Sequence, residues 1–194
     1  MYFANPTPAA VAFPLLVRTD DGAVLAVPGF PTTVSIPAGG SMRLEAANTG
    51  DLSQGYVTAT LPAGVTGYAV FRQSVAGTPD QEAVVPLSPI GARTNSLTFD
   101  DMSSTTAAAI VNPGSSATTV TVTAKGTSGE ILGSDTITLN ALSKMAVTLR
   151  SIPGLAGVEG KTGTATFTVA SGAVAVLGLR FNGTAFTSIP ATDK

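Results

Sequence analysis

Few side chains in this chain could do covalent or acid–base chemistry, and their spacing does not assemble them for it. The 194 residues include no histidine and no cysteine. That removes the commonest general base, the commonest metal ligand, thiolate nucleophiles and disulfides. Serine and threonine are plentiful but have no histidine to activate them, so triad chemistry is excluded. Ser143-Lys144 is a serine–lysine pair in sequence, but adjacent strand residues point to opposite faces. A glycosidase needs two carboxylates across a cleft, and nothing singles out a pair among the 12 acidic residues. Asp20-Asp21 and Asp100-Asp101 lie near turns without the D-x-D-x-D spacing that would converge oxygens on calcium, and they read as turn caps. No catalytic residue, metal site or cofactor is expected, and the chain reads as a non-enzyme.

The remaining candidates concern recognition. Tyr56 and Tyr68 fall in successive strand-like segments and could form a small aromatic platform for a glycan, against core or cross-strand packing. Arg72 and Arg180 each end an apolar run. A carboxylate or glycan contact competes there with a structural arginine whose stem packs on the sheet and whose head bonds to loop groups, and the second reading is preferred. Asn182-Gly183-Thr184 fits the N-glycosylation pattern, but Asn-Gly is also a strong hairpin turn signal, and the turn reading dominates.

Composition narrows the partners. Net charge is −2 with 11% charged residues, so there is no basic footprint for nucleic acid. The longest apolar stretch, Ala173 to Leu179, is strand-sized, so no membrane insertion is expected. Low charge with abundant Thr, Ser, Gly, Ala and Val is typical of secreted bacterial β-proteins, which points to an extracellular or cell-surface location.

The elements that would carry these residues come from alternation. Thr119–Ala124, Asp135–Leu139 and Thr164–Val169 each alternate polar and apolar residues at period two, as half-buried strands do. Turn signals separate them: Asn5-Pro6, Asp21-Gly22, Asn112-Pro113-Gly114, Ser128-Gly129 and Asn182-Gly183. Ala63-Gly64 and Ser171-Gly172 read as further hairpins. Ile152–Leu155 could hold one helical turn at most. The pattern predicts an all-β chain of antiparallel sandwiches, immunoglobulin- or fibronectin-like, with six or seven strands per copy.

There are two copies. Asn5-Pro6 returns as Asn112-Pro113, Gly22 as Gly129, Leu25 as Leu132, Met42 as Met145, Gly64 as Gly172 and Arg72 as Arg180. A period of roughly 107 residues means a duplicated domain, not a solenoid of short repeats. The expected domains are 1–90 and 91–194, joined by a stiff connector over Pro86–Asn95. Leu97–Asp100 looks like an extra first strand of the second copy. The first copy is expected to lack its counterpart, which would leave an open strand edge. Met1 aligns with Ala108 inside a strand, so the chain reads as an excerpt of a longer protein.

Ala109-Ile-Val-Asn-Pro-Gly, Leu149-Arg-Ser-Ile-Pro-Gly-Leu and Val176–Pro190 resemble a repeat domain of large secreted bacterial surface proteins, often found in tandem. The second copy matches over nearly its whole length. The first matches more loosely, with a longer loop read at Gln81–Leu87. The resemblance implies an extracellular structural module, a stalk or filament subunit that self-associates through strand edges or head-to-tail contacts. The alternative it leaves open is an adhesion module that binds carbohydrate or a surface.

Overall fold

The computed structural model describes residues 1–47, 53–74, 77, 80–89 and 92–193. They form two compact units, Met1–Val70 and Phe71–Lys194. All sheets are antiparallel. Of the expected connector Pro86–Asn95, Ile90 and Gly91 lie outside the described residues.

Unit 1 begins with β1 (Tyr2–Ala4), β2 (Val11–Thr19), β3 (Thr33–Ile36), β4 (Ser41–Arg43) and β5 (Gly55–Ala59). It ends within β6 (Thr66–Gln73). One sheet has β1 between β4 and β6; the other runs β3-β2-β5. Phe3, Phe13, Leu15, Val34, Ile36 and Leu44 fill the space between them.

Unit 2 holds β7 (Gln81–Pro86), β8 (Thr94–Asp100), β9 (Thr105–Val111), β10 (Thr118–Gly126) and β11 (Ile131–Leu139). It continues with β12 (Lys144–Thr148), β13 (Thr162–Val169), β14 (Ala175–Asn182), β15 (Ala185–Pro190) and β16 (Thr192–Asp193). Its sheets run β11-β10-β13-β8-β16 and β12-β9-β14-β15. The core draws on both: Leu97, Val120, Val122 and Phe167 from one, Ala108 and Ile110 from the other, all fully buried. This is an all-β sandwich. Gln81–Pro86 is a strand rather than the long loop read from sequence, and Ser188 donates its hydroxyl to the Val84 carbonyl, which ties β7 to β15.

The two units repeat residue for residue where alternation rules. Leu15 pairs with Ala59 and Thr19 with Gly55, as Val122 pairs with Phe167 and Gly126 with Gly163. The hairpin glycines match in conformation, Gly22 at φ 90° and Gly129 at φ 88°. Two turns differ from expectation. Ala63-Gly64 and Ser171-Gly172 join strands of different sheets, so they are crossovers, not hairpins. The last hairpin turns at Gly183-Thr184, one residue later than Asn182-Gly183 suggests: Asn182 still pairs with Ala185, and of the two turn residues only Gly183 has positive φ. Glycine at the first central position suits a type II′ turn.

Helical structure is also longer than one turn. Leu149–Ser151 and Pro153–Val158 are 3-10 helices. Leu149, Ile152, Leu155 and Val158 recur every third residue and are all buried. Three residues per turn stacks them on one face, which seats this segment on the core. Glycine permits the close approach: a Cβ on Gly133 would fall 2.1 Å from the Gly154 carbonyl oxygen.

The duplicated Asn-Pro is a buried pin between sheets. Asn5 leaves β1 and donates its amide to the carbonyls of Ala9 (2.8 Å) and Pro37 (3.0 Å). Asn112 leaves β9 and donates to Ser116 (2.9 Å) and Asn140 (2.8 Å). The carbonyls of Pro37 and Asn140 follow β3 and β11, strands of the opposite sheet. Each side-chain oxygen accepts from the turn it heads, Asn5 from the Thr7 hydroxyl and Asn112 from the Gly114 N–H at 3.0 Å. Replacing Asn112 with alanine strands buried carbonyls, and we expect about 2–3 kcal/mol lost stability in denaturant titration. Leu142 occupies the left-handed position (φ 55°) that glycine takes in the first copy at Gly39 (φ 65°). Leu142→Gly should therefore raise stability by up to about 1 kcal/mol, read as a higher midpoint in the same titration.

Candidate functional site

Two clusters of polar and aromatic groups stand out, one in each unit. In unit 1, Tyr2 of β1 pairs with Arg43 of β4 on one side and Tyr68 of β6 on the other. Directly opposed residues share a face, so the three form one row across the sheet. Phe3, one residue on, points the other way and is buried. The rings of Tyr2 and Tyr68 stack at 5.0 Å between centroids and 19° between planes. The Arg43 guanidinium lies 6.0 Å from the Tyr2 ring centroid and is ion-paired to Glu45. Tyr68 is 43% exposed. A concavity of about 400 Å³ is lined by Tyr2, Ala4, Ser41, Arg43, Thr66 and Tyr68. Apolar ring surface beside a cation and hydroxyl groups can hold a polar ring, a sugar above all.

Tyr56 does not join this row. It sits on β5 in the other sheet, opposite Arg18, and burial pushes its phenol pKa up while Arg18 opposes that shift. Tyr2 is the partner that sequence reading missed. The signal was available in the alternation of Tyr2, Phe3 and Ala4 ahead of Asn5, which makes Phe3 inward and Tyr2 outward. Pairing of β1 with β6, however, is not local information. At the same ladder positions unit 2 carries Ala146, Ala109 and Leu177, so the row has no counterpart there.

The second cluster flanks the start of β9. Asp101 is buried and accepts from Arg150 Nε at 2.7 Å and from the Thr106 N–H at 2.7 Å. Arg150 also donates to the Ser104 carbonyl and the Thr105 hydroxyl, both at 3.1 Å. Beside it, Arg180 Nη2 on β14 meets Asp100 Oδ2 at the end of β8 at 2.9 Å. The Asp100 carboxyl is held well below the usual carboxylate range, first by Arg180 and then by hydrogen bonds from Ser103 and Met102. The paired carboxylates singled out in sequence are thus turned to two different arginines. Their chemistry is clasping: the β8–β9 turn is fastened to a 3-10 helix and to the opposite sheet.

Arg72 and Arg180 part company here. Arg72 faces Asp80 at 3.7 Å, with both side chains well exposed. Tyr68 occupies the ladder position of Leu177, an offset one residue larger than the alignment of the two arginines requires. Carried along both strands without a bulge, this register matches Arg180 to Phe71 and Arg72 to Phe181. A one-residue shift turns a strand side chain to the other face, so the two arginines are not equivalent. Asn182 is exposed at the hairpin, where glycosylation would meet no packed surface.

Two expectations separate the arginines. Arg150→Met leaves Asp101 buried without its cation and should cost about 3 kcal/mol by denaturant titration. Arg180→Met breaks a partly exposed pair and should cost clearly less. The depressed Asp100 carboxyl stabilises the fold above its unfolded-state pKa of about 4, and that contribution fades as pH falls below it. The stability gap between the native protein and Asp100→Asn should therefore be constant near neutrality and shrink in titrations run below about pH 4.

No family model, no curated protein and no solved structure matches this chain, so its functional reading rests on its own geometry.

Proposed function

We propose that this protein is a non-enzymatic structural module of the bacterial cell exterior, a stalk or filament subunit of the immunoglobulin-like repeat type its sequence resembles. The observation that carries this reading is the division between what the two copies share and what they do not. Shared are the devices that hold backbone: the asparagine pins, the left-handed turns and the pairing registers. Unshared are the outward groups, such as Arg43, Tyr2 and Tyr68 against Ala146, Ala109 and Leu177. Duplication that keeps the scaffold and frees the surface suits a part used for spacing and assembly. Outward threonines on β10, β11 and β13 keep the faces hydrated without charge. Head-to-tail contacts between copies are heterologous and propagate without closing. Sedimentation velocity over a rising concentration series should show growing oligomers, with filaments in electron micrographs; monomers alone at high concentration would overturn the assembly reading.

A second reading is favoured by one observation, the Tyr2–Tyr68 stack beside Arg43. It makes unit 1 a carbohydrate- or surface-binding adhesion module. On a glycan array, binding that is lost in both Tyr2→Ala and Tyr68→Ala, and kept in Tyr56→Ala, would establish it. Indifference to all three would remove it.

A further inference from the structure

The sheet β3-β2-β5 of unit 1 stops where its duplicate continues. In unit 2, β13 pairs with β10 on one side and with β8 on the other. In unit 1, β5 holds the position of β13 by register, and among the described residues it pairs with β2 alone. The consequence is visible in burial. Ala165 and Phe167 of β13 are fully buried, whereas their counterparts Val57 and Ala59 are 37% exposed and half-buried. Likewise Ala124 of β10 is fully buried, while its counterpart Val17 is half-buried. The core of unit 1 is open along β5.

What fills this slot in unit 2 defines the chemistry of an occupant. Leu97 of β8 stands opposite Ala165, Phe99 opposite Gly163 and Asn95 opposite Phe167. Leu97 and Phe99 enter the core, and Leu97 reaches so close to Gly178 that a Cβ there would lie 2.3 Å from its Cδ1. The Asn95 amide donates to the Val174 carbonyl at 2.9 Å. Transferred by register, the leucine would cover Val57, the aromatic ring would pass over Gly55 and the asparagine would face Ala59.

We propose that the β5 edge is an acceptor site for an extended strand of another polypeptide with the pattern Asn-x-Leu-x-Phe, added antiparallel to β5. This deepens the assembly reading of the previous subsection, on which it rests, by naming the edge and the partner's chemistry. Main-chain hydrogen bonds supply affinity, and the leucine and phenylalanine entering alternate core positions supply specificity. The proximity of Val57 to solvent is then a property of the unfilled site, and the added strand removes it.

The test uses the whole chain and a labelled synthetic peptide carrying residues 92–101, Ala-Arg-Thr-Asn-Ser-Leu-Thr-Phe-Asp-Asp. Fluorescence anisotropy should show saturable binding. A control peptide with aspartate at the leucine and phenylalanine positions should bind at least about tenfold more weakly, as the loss of two buried apolar side chains requires. Hydrogen exchange should show new protection over 55–59, and Val57→Asp should abolish both signals while leaving exchange in unit 2 unchanged. Absence of binding, equal binding of the control, or protection confined to 162–169 would overturn the proposal. So would protection of 55–59 that grows with protein concentration and needs no peptide, since that means β5 edges pair with one another. Filaments without peptide binding would leave the assembly reading standing and remove this site; peptide binding by a chain that never oligomerises would do the reverse.

Discussion

A single buried asparagine amide, used once in each copy, holds the two sheets of a sandwich in register. Asn5 and Asn112 stand where the chain leaves one sheet for the other, at less than 3% exposure. At that point several backbone carbonyls converge away from water, and burying them without donors is costly. One amide with two N–H groups serves carbonyls from both the crossover turn and the end of the third strand of its copy. The amide also explains why the turns nearby repeat in such detail. Gly39 and Leu142 both adopt left-handed conformations and donate their N–H to Thr7 and Gly114 respectively. The second copy accepts a leucine in that conformation because the surrounding hydrogen bonds allow no other path.

The far end of β9 is closed by charge instead of amide. Asp101 and Arg150 satisfy each other in a buried setting, and Asp100 and Arg180 reach from β8 across to β14. A charged clasp of this kind is sensitive to the loss of either partner, whereas the amide pin is neutral and indifferent to pH. Unit 2 thus uses two unlike devices at the two ends of one strand. Between them the core needs only aliphatic alternation, with Leu149, Ile152, Leu155 and Val158 of the 3-10 helices lying against it.

Much of this was legible. The alternating runs 119–124, 135–139 and 164–169 became β10, β11 and β13 with the apolar residues inward, because period-two burial is local and each residue declares its own face. Asp21-Gly22 and Ser128-Gly129 turned as expected, since glycine's conformational freedom is also local. The tyrosines were harder. Tyr68 was visible as a candidate, but its partner proved to be Tyr2, far away in sequence, and not Tyr56, because β5 and β6 belong to different sheets. Arg150 passed unnoticed: nothing in the residues around it announces that Asp101 will be buried against it.

Sequence alone determined that this is a duplicated antiparallel all-β chain without histidine or thiol chemistry, because composition, alternation and turn residues act within a few positions of themselves. Tertiary structure alone decided which strands share a sheet, which tyrosines stack, which arginine is indispensable and which strand edge is left open. Those outcomes depend on pairings between segments dozens of residues apart. A strand's pattern states which side faces inward and is silent about its neighbour.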